Sequence, residues 1–160
     1  MIVIAAVAEN NVIGNKGDIP WHIKEDFEHF KNLTMGNPCI MGDVTYESLP
    51  KRPLPGRENI VLTFKKDYAP EGAKVFHSWE DALSYVKDKP RAFICGGASI
   101  YRLGLAVADV LEITRVHMNP EGDTCFPEIN WDEWELVLED PHEKYSFQTF
   151  KRIRKNKVQA

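Results

Sequence analysis

Apolar runs alternate with helix-period patterns through the first two thirds of the chain, the order expected of a sheet with crossover helices. Ile2–Ala8 is almost wholly apolar and reads as a central strand covered on both faces. Further strands are expected at Cys39–Met41, Asn59–Thr63, Lys74–Phe76 and Ala92–Cys95, and helices at Ile23–Leu33, Thr45–Leu49, Trp79–Val86 and Ser99–Leu105. Ser78 before Trp79-Glu-Asp supplies an N-cap followed by acidic residues in the first turn. Beyond residue 109 only strands are expected, at Val110–His117, Trp134–Glu139 and Tyr145–Arg152. The last two, separated by Asp140-Pro-His-Glu, read as an antiparallel hairpin closing the sheet edge. No repeat, linker or low-complexity stretch interrupts the pattern. One α/β domain is expected over 1–153, followed by a basic tail at 154–160. The five basic residues between Lys151 and Lys157 read as a solvated chain end rather than a phosphate-binding arm.

The length of 160 residues suits one domain, and 43% hydrophobic with 28% charged residues can fill one core and keep a wet surface. Disordered, collagen-like and disulfide-scaffold classes are excluded. A formal charge of −4 argues against a nucleic-acid binder, whose footprint is basic. Cys39, Cys95 and Cys125 are odd in number, widely spaced and without metal-ligand spacing; they read as packed thiols in a reducing compartment. No apolar run is long enough to span a membrane. The start lacks a basic segment, carries Glu9 directly after its apolar run, and reads as a strand rather than a signal peptide. A cytoplasmic protein is expected, and a monomer, since no surplus apolar stripe asks for a partner.

Asp26 is the most informative residue. Ile23, Phe27, Phe30 and Leu33 share one helical face, and Asp26, three after Ile23 and four before Phe30, falls on it too. Glu25, Glu28 and His29 fall on the opposite, solvated side. A carboxylate among aromatics loses hydration and needs a partner; the alternative role is a cap at the helix start. Trp21 after Pro20 can wall a pocket or staple the helix entry. An acid flanked by Trp21, Phe27 and Phe30 suits a flat, amidine-like heterocycle, which offers it two N–H donors. Cys95-Gly-Gly-Ala-Ser at a strand-to-helix junction lets a ligand approach the backbone, although the full Gly-x-Gly-x-x-Gly spacing is absent. Arg52-Pro-Leu-Pro-Gly-Arg57 is a stiffened loop presenting arginine, either a carboxylate fork or a rigid surface turn.

Taken together, these motifs resemble dihydrofolate reductases from about Ile2 to Arg152. The resemblance rests on Ile4-Ala-Ala, Asn11-Val-Ile-Gly14, Pro20-Trp21 with Asp26, Ile40-Met-Gly42 with Thr45, and Pro53-Leu-Pro-Gly-Arg57. Gly96-Gly97 with Ile100-Tyr101, Thr114, and Gly122-Asp-Thr-Cys-Phe-Pro127 complete it, in order. It implies a mixed, mostly parallel eight-stranded sheet flanked by helices, with a C-terminal antiparallel hairpin. It also implies hydride transfer from a nicotinamide cofactor to C6 of dihydrofolate with protonation of N5. Asp26 would hold the pterin 2-amino and N3 groups and support that proton, with Trp21 positioning a water and Thr114 completing the catalytic set. Around the substrate it implies Ile4, Phe27, Phe30, Leu49, Arg52, Cys95 and Tyr101, with Arg57 on the α-carboxylate of the glutamate tail. Around the cofactor it implies Ala6, Ile13, Gly14, Ile19, Gly42, Asp43, Val44, Thr45, Thr63 and Phe64. Gly96, Gly97, Ala98, Ser99 and Ile100 complete the cofactor side, and the loop from Gly14 to Pro20 would be a mobile flap. No metal is implied.

Three departures cluster. Asp43 and Val44 stand where relatives place cations against the cofactor phosphates, Phe64 where Ser or Arg is common, and Ala98-Ser99 where a basic residue is frequent. The resemblance implies NADPH; a 2′-phosphate pocket stripped of cations makes NADH the alternative, with Lys65 and Lys66 opposing it. Two competing readings are a pyrimidine reductase of riboflavin synthesis and a non-catalytic folate- or nucleotide-binding module. Arg57 and Asp26 with Trp21 speak against the first, and Asp26, Gly96-Gly97 and Thr114 against the second.

Overall fold

The apolar run at the start forms strand β1 (Ile2–Ala8), which pairs in parallel with β6 (Phe93–Ile94) on one side and β7 (Val110–Val116) on the other. This is the computed structural model of the chain, and it describes residues 1–153. Strands β3 (Pro38–Gly42), β4 (Glu58–Leu62) and β5 (Ala73–Phe76) extend the parallel array beyond β6. β10 (Tyr145–Arg152) lies antiparallel between β7 and β9 (Trp134–Pro141), so the sheet has eight strands in the order β5-β4-β3-β6-β1-β7-β10-β9.

Side-chain alternation divides the interior into two layers. Val3, Ala5 and Val7 of β1 face a core shared with Ile100 and Tyr101 of helix α4 (Ala98–Leu105) and Val86 of helix α3 (Trp79–Val86). Ile4 faces the opposite cluster, with Cys39, Met41 and Tyr46 of helix α2 (Asp43–Ser48), against which Phe30 and Leu33 of helix α1 (Lys24–Thr34) pack. Helices therefore cover both faces, which is why the parallel strands read as continuous apolar runs rather than alternating ones.

Several expectations need correction. Helix α2 begins at Asp43 rather than Thr45. A small second sheet pairs β2 (Val12–Gly14) with β8 (Thr124–Cys125), and a 3₁₀ turn at Trp131–Glu133 breaks the strands-only C-terminal third. Cys39 is buried, Cys95 half-buried, but Cys125 is exposed. His29 is not a solvated group: its ring stacks on Phe147 of β10 at 3.9 Å and 14°. Lys151 and Arg152 belong to β10, and Arg152 is pinned, with Nε donating to the Ala108 carbonyl at 2.9 Å and Nη1 to Glu133 at 3.1 Å. The rest of the basic tail, 154–160, lies outside the described residues. Apolar side chains do surface on the edge strand β9, where Leu136, Val137 and Leu138 are all exposed.

Gly104 sets how closely α4 lies on β6. A Cβ there would stand 2.6 Å from Ile94 Cδ1 and 2.9 Å from its Cγ2. Helix propensity favours alanine by about 1 kcal/mol, whereas overpacking costs about 1–3 kcal/mol. The steric term wins, so Gly104→Ala is expected to be destabilised by about 1 kcal/mol in urea unfolding; an unchanged or raised midpoint would show that Ile94 yields freely.

Candidate active site

The loops leaving β3 and β6 emerge side by side at the carboxyl edge of the sheet, joined by a bond from the Gly42 amide to the Gly96 carbonyl at 2.9 Å. Such an edge is where open α/β sheets bind ligands. A cleft of about 440 Å³ opens there. Its lining includes Ala6, Ile13, Gly14, Ile19, Trp21, Gly42, Asp43, Val44 and Thr45. Cys95, Gly96, Gly97, Ala98, Ser99 and Tyr101 complete the expected residues that line it, and Gly17, Asp18, Ser48 and Thr124 join them.

The cleft's central wall is bare backbone. Gly96 adopts φ +109°, and a Cβ there would stand 3.1 Å from the Tyr101 ring, so only glycine fits. The Gly96–Gly97 peptide bond is cis. Tyr101 is fixed behind it by donating to the Ile4 carbonyl at 2.8 Å. Ile100 is buried beneath Gly42, where an added Cβ would meet its Cγ1 at 3.4 Å. Helix α4 starts from Gly97 with no side-chain cap, unlike α3, whose Ser78 accepts from the Asp81 amide at 3.0 Å. Its first amides therefore remain unpaired by side chains at the cleft wall, a fit for a pyrophosphate.

At one end of the cleft Trp21 is buried in a cluster with Ala8, Val12 and Val116. Asp26 does not line the cleft, but it is joined to it through Thr114, which is paired across the sheet with Ala6. Thr114 Oγ1 donates to Asp26 Oδ1 at 2.6 Å. Burial pushes the Asp26 carboxyl above its usual range, while the Thr114 bond and the nearby His29 pull it down. Asp26 thus has a dedicated partner and is no helix cap; α1 has no side-chain cap at all. His29 is itself lowered by burial, with Asp26, Glu112 and Asp140 favouring its charged form.

Phe30, Leu49, Leu54 and Cys95 pack against the apolar cluster that contains Ile4. Phe27 stands exposed on α1, its ring centre 5.2 Å from that of His22. Arg57 stands beside Phe30: its guanidinium lies 5.9 Å from the Phe30 ring centre, Nε donates to the Pro55 carbonyl at 2.9 Å and Nη1 to Thr34 Oγ1 at 3.2 Å. Arg52 does not join it; its Nη1 is turned to the Glu47 carboxylate at 3.3 Å.

At the opposite end of the cleft, Thr63 Oγ1 donates to Asp43 Oδ2 at 2.6 Å and Lys65 Nζ stands 3.8 Å from the same oxygen. Thr63 is buried, while Phe64 beside it is 94% exposed. Ser48 was not singled out by the sequence reading, Leu54 and Thr124 entered it only as members of motifs, Gly17 and Asp18 only as part of the expected flap, and His29 only as a solvated group. Thr124 reaches the cleft only through the β2–β8 pairing, for which two short strands give almost no periodic signal.

A family model described as dihydrofolate reductase matches residues 1–154. A dihydrofolate reductase of Neisseria gonorrhoeae is 48% identical over 132 residues, 82% of each chain. One from Bacillus subtilis is 36% identical over 162 residues, covering 98% of this chain and 96% of the relative. A solved dihydrofolate reductase from Enterococcus faecalis, complexed with NADP(H) and RAB-propyl, superimposes with a TM-score of 0.89 at 37% identity, covering 94% of this chain and 95% of that one. With the eight-stranded sheet and the glycine-walled cleft, these similarities agree in one conclusion: the chain belongs to the dihydrofolate reductase family.

Proposed function

We propose that Asp26 assists protonation of pterin N5 in the reaction of this family, the reduction of 7,8-dihydrofolate to 5,6,7,8-tetrahydrofolate. The observation that carries this reading is a half-buried carboxylate, raised by desolvation and held by Thr114 at 2.6 Å, next to a wall that suits a dinucleotide. When bound, the reduced nicotinamide of NADPH or NADH supplies a hydride to C6. Asp26 accepts from the pterin 2-amino and N3 groups, which fixes the ring's orientation, and Thr114 holds Oδ1 so that the other oxygen faces the substrate. Trp21 walls the acid and positions the water that carries the proton to N5. Phe30 and Leu49 clasp the aminobenzoyl ring, and Arg57 pairs with the glutamate α-carboxylate. One acid suffices, because the reaction needs a single proton.

No described helix is long and apolar enough to cross a membrane. We read the protein as a cytoplasmic monomer that acts on a small molecule and binds no nucleic acid; a sedimentation experiment tests the monomer.

Asp26→Asn is expected to fold and to slow turnover by about 10²-fold or more at pH 7, with the deficit shrinking in acid as solvent protons reach the pterin directly. Loss of reduced-nicotinamide absorbance with dihydrofolate measures it, and full activity at pH 7 would remove Asp26 from the chemistry. Stability should move the other way. Because the native state raises the Asp26 pKa, it binds that proton more tightly than the unfolded chain. Its stabilising contribution is present below the unfolded value and lost as pH rises through the folded one. Asp26→Asn should therefore melt higher than wild type at pH 7, with no such gain below the ordinary carboxylate range.

Arg57→Ala removes a charge-assisted pair worth about 1.5–3 kcal/mol, so KM for dihydrofolate should rise roughly ten- to hundredfold with kcat little changed. A pterin substrate lacking glutamate should be indifferent to the change. An equal loss with both substrates would make Arg57 structural, acting through Thr34 and Pro55.

A further inference from the structure

We propose that the adenosine end of this cleft selects a ribose with a free 2′-hydroxyl, so that the enzyme uses NADH in preference to NADPH. This rests on the reading of the cleft as the dinucleotide site and sharpens which dinucleotide it takes. The direction of the ligand follows from the fold. Trp21 and Ala6 mark the end next to Asp26, where the hydride is delivered, and the Gly96–Gly97 wall with the start of α4 takes the pyrophosphate. The second nucleoside must then lie at the remaining end, against Asp43 and Val44.

The chemistry of that end is a hydroxyl reader. Thr63 Oγ1 holds Asp43 Oδ2 at 2.6 Å and in turn accepts from the Lys65 amide at 3.1 Å, so the carboxylate is fixed from below. Lys65 Nζ, largely exposed, pairs with the same oxygen at 3.8 Å. No described residue donates a hydrogen bond to Oδ1, which leaves it to accept from a ribose hydroxyl. A phosphate ester at that hydroxyl has no proton to give and meets a carboxylate of its own sign. Lys65 is paired with Asp43, no ion pair among the described residues brings Lys66 to it, and His77 turns Nδ1 to the Thr63 carbonyl at 3.0 Å. Phe64, next in the chain and 94% exposed, offers its face to the adenine, an attraction blind to phosphorylation.

The test reads binding as well as turnover. NAD⁺ and NADP⁺ are titrated calorimetrically into the full-length protein at about pH 8, above the usual histidine range, alongside kcat/KM for NADH and NADPH with saturating dihydrofolate. Both measurements should favour the unphosphorylated dinucleotide by about fivefold or more, and raising salt should narrow the gap. Asp43→Asn should shift the ratio toward the phosphorylated form by about tenfold, and Asp43→Arg further, past equality. Phe64→Ala should weaken both ligands alike and leave their ratio unchanged. Equal or tighter binding of NADP⁺ by wild type, or a ratio indifferent to Asp43→Asn, would overturn the proposal. A change of ratio in Phe64→Ala would overturn the assignment of selectivity to Asp43. If NAD⁺ is preferred but neither reduced cofactor is oxidised by dihydrofolate, the selectivity stands and the reaction assigned to the cleft fails.

Discussion

Everything in the site hangs from the unbroken parallel pairing of β1 with β7, seven residues in register from Ile2 with Val110 to Ala8 with Val116. That register puts Thr114 beside Ala6, and the alternation of side chains then decides which neighbours face the cleft and which face the core. A slip of one residue would turn Thr114 toward the opposite layer and leave Asp26 desolvated without a partner. The register is protected because both strands are buried on two faces: Val3, Val7, Leu111 and Ile113 would all exchange environments together. The placement of Thr114 against Asp26 is thus a by-product of core packing.

Two aspartates in one molecule show how environment divides labour among identical groups. Asp26 is held where ionisation is penalised, by burial on a helix face shared with aromatic rings. Asp43 is held in place by a hydroxyl and an ammonium on the same oxygen. The first arrangement disfavours the charged form of the carboxyl relative to an exposed one; the second fixes where the carboxylate points.

The sequence was most legible where local signals and tertiary packing agreed. Helix α3 begins and ends where Ser78 and the apolar spacing predict, because the cap, the acidic first turn and the buried face all act within eight residues. Asp26 was legible because a charge on an apolar face violates a local rule. His29 was not: helical spacing sets it on the polar side of α1, and only the arrival of β10, more than a hundred residues later, lays Phe147 against its ring. The β2–β8 pair was hidden for the same reason, since strands of three and two residues carry no period. Arg52 and Arg57, equivalent on a stiffened loop in the sequence, are separated by which partner each can reach: Glu47 for one, Thr34 and Phe30 for the other.

The outermost strand has a bearing on how the protein behaves in a crowded solution. β9 leaves Leu136, Val137 and Leu138 facing water along an unpaired edge, a surface that invites another strand to add itself. Glu135, Glu139 and Asp140 sit on the same strand and give that edge an acidic character. Two such edges carry like charge and oppose each other's approach. The strand that offers an apolar row for pairing therefore also carries the side chains that resist it.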